Sequence, residues 1–205
     1  MSPIASPIAG KLRDELVCAY AAPERHYHNL AHIEAMLDLM RSYENALSDP
    51  AAVEAAIWFH DAVYDTRRHD NEERSAQLAA DRLTGLVSPD RIALIADMIR
   101  ATAGHHVPDG LDDTQRRDCA LFLDTDLSIL GSAPDVFAAY EEAVRREYAW
   151  VPDALWREGR RKVLQGFLDR PAIYASPQFR ASHEAAARAN LTRSLERLHE
   201  RPARP

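Results

Sequence analysis

Glycine is scarce in this chain, 7 residues in 205, and nowhere does the sequence alternate apolar and polar residues between hairpin-type turn signals. Strand and hairpin signals are thus missing, so few or no strands are expected. Cysteine is scarcer still. Cys18 and Cys119 lie far apart and form no CxxC pair, which argues against a disulfide scaffold and fits a reducing compartment. The 25 lysines and arginines are outnumbered by 32 acidic residues, giving a net charge of −7, and they form no long basic run. A surface that neutralises a polymer's phosphates is not evident, so duplex DNA or RNA is not an expected partner. No apolar run approaches the length of a membrane span, and the opening MSPIASPIAGKLRDELV lacks a charged start followed by an apolar core. No membrane partner is expected, and the expected location is cytoplasmic.

What is abundant is the material of helices. Alanine and leucine are plentiful, 46% of residues are hydrophobic, and a capping residue or proline recurs where a first turn would begin. Ser6-Pro7, Asp49-Pro50, Ser88-Pro89, Ala133-Pro134, Pro152-Asp153 and Ser176-Pro177 are such starts. The pattern predicts helices at roughly 7–21, 30–47, 50–65, 71–86, 89–103, 118–130, 134–149, 153–168 and 177–200. The polar stretches 66–70 and 104–115 read as loops and 201–205 as a loose tail. A chain of this length and apolar content fits one domain over 1–205, an all-α compact multi-helix bundle.

Four residues carry the chemistry: His32, the adjacent pair His60-Asp61, and Asp126. They lie in YHNLAHI, AAIWFHDAVYD and FLDTDLSILG. Neutral imidazole and ionised carboxylate together suit a borderline or hard divalent metal. With their flanking sequence these segments resemble the HD superfamily of metal-dependent phosphohydrolases. The resemblance implies an HD-type helical domain whose metal sits between helices, held by His32, His60, Asp61 and Asp126. It runs over about residues 20–175, through RHYHNLAHI, FHDAVYD, DNEERSA, LDTDLSILG, REYAWVPD and GRRKVL, with the C-terminal helix packed on that core. These segments are similar to those of a bacterial branch of HD-type hydrolases.

On a helix, neighbours point about 100° apart, so His60 and Asp61 share an ion only if it sits between their directions, leaving room for ligands from other helices. Asp124 and Asp126 point about 200° apart, so only one faces the ion. The HD resemblance favours Asp126-Leu127, with Asp124 as a group supporting a ligand from behind. Read as one continuous helix, the segment places Tyr64 four residues beyond His60 and Asp65 four beyond Asp61, at the rim of the cleft. Asp65 would serve as general base or water holder, Tyr64 as a phosphate contact. The alternatives are a helix cap for Asp65 and plain packing for Tyr64.

In RATAGHH, His105 and His106 follow the fifth helix, where imidazolium also complements the negative end of the dipole. The resemblance offers them as ligands of a second metal, with His105 preferred because T-x-x-H, from Thr102, resembles a signature of this branch. Arg25 and His28, close to His32, are candidate substrate contacts, as are Arg145, Arg146, Arg160 and Lys162, since guanidinium forks phosphate. Glu141, Glu142 and Glu147 are alternative partners for these cations. In DNEERSA, Asp70 or Asn71 caps the fourth helix and Glu72 is a further supporting group.

The expected function is hydrolysis of a phosphoester, on a nucleotide or another small phosphorylated metabolite, using Mn, Mg, Zn, Fe, Co or Ni. Asp61 and Asp65 are the expected catalytic carboxylates. Two alternatives are an HD-type di-iron oxygenase and a non-catalytic metal- or nucleotide-binding regulatory module. Tyr64 stands where guanosine tetraphosphate hydrolases and deoxynucleotide phosphatases carry acidic residues, so neither substrate follows from the resemblance. Oligomeric state is left open, a homo-oligomer included.

Overall fold

The computed structural model describes residues 6–199, and the expected loose tail lies outside them. Among the described residues there are nine α-helices and no strand, apart from one isolated bridge between Thr84 and Val87. The chain divides into two units, one up to Asp126 and one from Leu127 onward. No helix among the described residues is long and apolar enough to cross a membrane.

The first unit contains α1 (Gly10–Tyr20), α2 (Leu30–Arg41), α3 (Pro50–Phe59), α4 (Asn71–Leu83), α5 (Pro89–Ala101) and α6 (Asp113–Asp126). Its centre is α3. Only Pro50 and Glu54 escape burial there, as expected of a helix apolar all round and wrapped by others. Ile33, Met36, Ile57, Phe59, Leu83, Ile95, Met98 and Phe122 pack in the same core. The start of α3 is doubly fixed. Asp49 accepts from the Ala52 amide at 3.1 Å, while the buried Asp118 of α6 accepts from the amides of Ser48 at 2.9 Å and Asp49 at 2.8 Å. Burial pushes the Asp118 carboxyl up, against those two amide hydrogen bonds.

Several helix ends differ from expectation, each for a local reason. The first helix begins at Gly10, whose φ of 52° keeps residues 7–9 out of it. The second stops at Arg41 and is followed by a 3-10 turn, Glu44–Ala46, in place of a helix to 47. The sixth starts at Asp113, five residues early, because Asp112 and Gln115 form a reciprocal cap. Asp112 accepts from the Gln115 amide at 2.9 Å, and its own amide donates to Gln115 Oε1 at 3.0 Å. That helix ends at Asp126, and Leu127–Gly131 is a 3-10 turn. The difference that shapes the site is in α3, which stops at Phe59 instead of 65.

The second unit contains that 3-10 turn, α7 (Pro134–Glu147), α8 (Asp153–Leu168) and α9 (Pro177–His199). Asn190 of α9 donates to the carbonyls of Leu130 at 2.8 Å and Ser132 at 2.9 Å, and Tyr174 donates to Leu127 O at 3.2 Å. Gly131 lies so close to α9 that a Cβ there would meet the Cβ of His183 at 2.8 Å.

Candidate metal centre

The site is built where α3 gives out. His60 keeps helical dihedrals as the C-cap, its amide still bonded to Ala56 O at 2.9 Å. Beyond it the carbonyls that would continue the helix are claimed from elsewhere. Arg25, buried in the turn before α2, donates to Asp61 O at 2.7 Å, Ala62 O at 3.1 Å and His28 O at 2.9 Å. Ser75, fully buried in α4, accepts from the Val63 amide at 3.1 Å and donates to its carbonyl at 3.2 Å. Asn71 accepts from the Asp65 amide at 3.2 Å and donates to its carbonyl at 3.0 Å. These backbone groups find tertiary partners where helical ones were available.

The end of α3 and its following loop, α2, α6 and the turn after α5 together gather three imidazoles and two carboxylates. Ligand atoms of His32, His60 and Asp61 all lie within 4.8 Å of one another. Asp126 approaches from the end of α6, its Oδ1 at 3.1 Å from His32 Nε2 and 3.7 Å from His60 Nε2. Its Oδ2 lies 2.8 Å from His105 Nε2. The start of α2 is capped by Asn29, which accepts from the amides of Ala31 and His32 and fixes the first turn that carries His32.

His60 decides what the centre fits. Its Nδ1 lies 2.9 Å from the carbonyl of Ile57, which only accepts, so Nδ1 bears the hydrogen. Nε2 is then the nitrogen with the free lone pair in the neutral ring. It is buried without a hydrogen-bond partner, 3.2 Å from Asp61 Oδ2. In the neutral ring a lone pair thus confronts carboxylate oxygens, an arrangement that calls for a cation between them. Donors held about 2.0–2.2 Å from one ion stand about 3.0–3.5 Å apart, close to the spacing seen here.

The charges agree. Burial pulls the His60 imidazole down, but Asp61 beside it and Asp126 beyond outweigh that and raise it to about 9. Burial pushes Asp61 up, and the charges of His60 and His28 more than reverse this, holding it well below the ordinary carboxylate range. Asp126 is likewise held far down, against burial, by hydrogen bonds from His105 and His32. Without metal, a proton on His60 balances the carboxylates. The residues present therefore suit a divalent ion, which displaces such a proton.

No protein-family model, no curated protein and no solved structure matches this chain.

The remaining expected residues fall at different places. His28 stacks on Tyr64 with ring centroids 4.4 Å apart, and Arg25 lies over Tyr64 at 5.4 Å. Both rings thus edge the centre through the loop, not through a shared helix face. Arg25 commits its guanidinium to main-chain carbonyls and so sets the position of Asp61. Asp65 is exposed, and its carboxylate accepts from the Arg67 amide at 2.9 Å, capping its own turn. His106 is exposed, Asp124 is buried within α6, and Glu72 is half-buried in the first turn of α4. Asp70 is the N-cap of α4 by position but makes no side-chain cap, pairing instead with Arg68 at 2.6 Å. In the second unit, Arg145 donates to Tyr148 O at 2.7 Å, Arg160 to the Tyr140 hydroxyl at 3.1 Å, and Lys162 pairs with Glu158 at 2.8 Å. Arg146 lies in the last turn of α7.

Sequence reasoning missed Ser75 and Asp118, and read Asn71 only as a candidate cap of α4 where it holds the backbone of Asp65. Ser75 and Asn71 lie in DNEERSA, where a serine and an asparagine on one helix stripe were a signal for binding a neighbouring loop. Asp118 offered none, because an aspartate that caps a helix 69 residues earlier has no local pattern.

Proposed function

We propose that this protein is a metal-dependent phosphohydrolase that cleaves a small phosphorylated metabolite such as a nucleotide, and that it works in the cytoplasm. The observation that carries the reading is the buried, unbonded Nε2 of His60 facing Asp61 Oδ2 at 3.2 Å. His32, His60, Asp61 and Asp126 would hold the ion, and the HD-like segments of the sequence support the same set.

A divalent ion bound there supplies a positive centre that lowers the pKa of water and draws off charge from phosphate. The chain's own residues do the rest. His60, oriented by its Nδ1 bond to Ile57 O, and His32 hold their imidazoles fixed. Asp61, anchored through its own carbonyl by Arg25, takes the proton of the attacking water on Oδ1 as an oxygen–phosphorus bond forms and the ester P–O bond breaks. The leaving oxygen recovers a proton from solvent. Asp65 commits a carboxylate oxygen to the Arg67 amide of its own turn.

The test is elemental analysis of protein purified without added metal or chelator, beside Asp61→Ala, followed by phosphate release from nucleotides and simple phosphoesters. The expected result is about one metal per chain, lost in the variant with unchanged helix content, and turnover that depends on it. A wild-type protein that takes up no manganese, zinc or iron overturns the reading.

A further inference from the structure

Helix α5 ends at Ala101, and the chain then makes a tight return in which the His105 amide bonds to Ala101 O at 2.8 Å and Thr102 Oγ1 caps Ile99 O at 2.7 Å. Such a return places one residue in the left-handed region, which glycine enters freely and a residue with a Cβ enters at a steric cost. Gly104 is available, yet the positive φ, 49°, falls on His105, the only non-glycine residue with one among the described residues. A strained backbone at such a place is retained where its side chain is needed. Here the side chain is brought to Asp126, with Nε2 2.8 Å from Oδ2.

We infer that His105 is a positioning residue that donates from Nε2 to Oδ2 of Asp126 and leaves Oδ1 alone to face the metal. This rests on the metal reading above. The two oxygens of Asp126 are already divided in this way, Oδ1 lying 3.1 Å from His32 Nε2 and 3.7 Å from His60 Nε2. A carboxylate held to one oxygen occupies one coordination position where a chelating one takes two. The position kept open is the one a water or a phosphate oxygen needs.

Cobalt(II) titration followed by visible absorption tests this on wild type, His105→Gln and His105→Gly. Glutamine keeps an N–H donor of similar reach and is a poor ligand; glycine suits the backbone and removes the donor, and circular dichroism checks that it folds. All three proteins are expected to bind one equivalent. Affinity falls about 10–100-fold in His105→Gly and is largely restored in His105→Gln. The glycine variant also shows weaker visible bands, as Asp126 turns to bind through both oxygens and the coordination number rises. Two equivalents in wild type with one in both variants would make His105 a ligand of a second ion and overturn the inference. Equal affinity and spectra in all three would overturn it too. A wild type that binds no cobalt overturns the metal reading itself, and with it this one, and is told apart from the other failures by the wild-type curve alone.

Discussion

The guanidinium of Arg25 donates to the main-chain carbonyl of Asp61 at 2.7 Å, across 36 residues of chain. It also reaches Ala62 O and His28 O, and lies over the rings of Tyr20 at 5.0 Å and Tyr64 at 5.4 Å. One buried side chain thus ties the turn before α2 to the loop after α3, and with them the two segments that carry His32 and His60-Asp61.

Replacing Arg25 by methionine keeps the apolar stem and strands three carbonyls. The expected cost is roughly 2–4 kcal/mol, from buried acceptors left unpaired and charge-assisted hydrogen bonds lost. Urea unfolding of metal-free protein would show it as a lower midpoint at unchanged slope. A midpoint within error of wild type would refute the staple.

The metal-free protein should have an acid-side stability maximum. The folded-state value of His60, about 9, lies above the ordinary imidazole value of 6.5. Its stabilisation is therefore fully present below pH ~6.5 and disappears as pH rises to about 9, a loss of roughly 3 kcal/mol. Asp61 and Asp126 are depressed, so their contribution is present above the ordinary carboxylate range and is lost as pH falls below it. Unfolding free energies measured in chelator from pH 5 to 10 check this, and His60→Gln should flatten the alkaline limb. Metal uptake has the opposite slope, rising with pH up to about 9 because a proton must leave.

Ser75→Ala removes both partners of Val63. A cost of about 1–3 kcal/mol is expected, with faster hydrogen exchange at the Val63 amide and weaker metal binding, since that loop carries Asp61. Exchange at Val63 as slow as in wild type would mean that Ser75 does not hold the loop.

Gly131→Ala probes the second unit separately. The new Cβ would meet the Cβ of His183 at 2.8 Å and its carbonyl oxygen at 3.0 Å, neither of which can swing aside. Thermal unfolding should report a destabilisation of about 1–3 kcal/mol. Metal stoichiometry serves as the control and should stay the same, because all the proposed ligands lie at or before Asp126.

The helices were legible because the signals that make them are local. Asp49 before Pro50 and Ser88 before Pro89 cap the helices they announce, and the apolar run of α3 marks the central helix. Their ends were less legible where the stopping force comes from elsewhere. Nothing in AAIWFHDAVYD says that the helix halts at Phe59, since the residues that take its next backbone groups are Arg25 and Ser75. The expectation that Tyr64 and Asp65 share a helix face with the doublet fails for that reason. The two residues part company, Tyr64 stacking on His28 and Asp65 turning to Arg67.

The sequence by itself determined the all-helical class, most helix starts, and the residue types able to hold a metal, because periodicity, caps and donor chemistry are written in neighbouring residues. Tertiary structure alone decided that Asp126 meets His32 across 94 positions, that His105 reaches Asp126 while His106 faces solvent, and that Arg25 serves the backbone of Asp61. Hydrogen bonds between distant segments depend on how whole helices pack, and no local pattern encodes that.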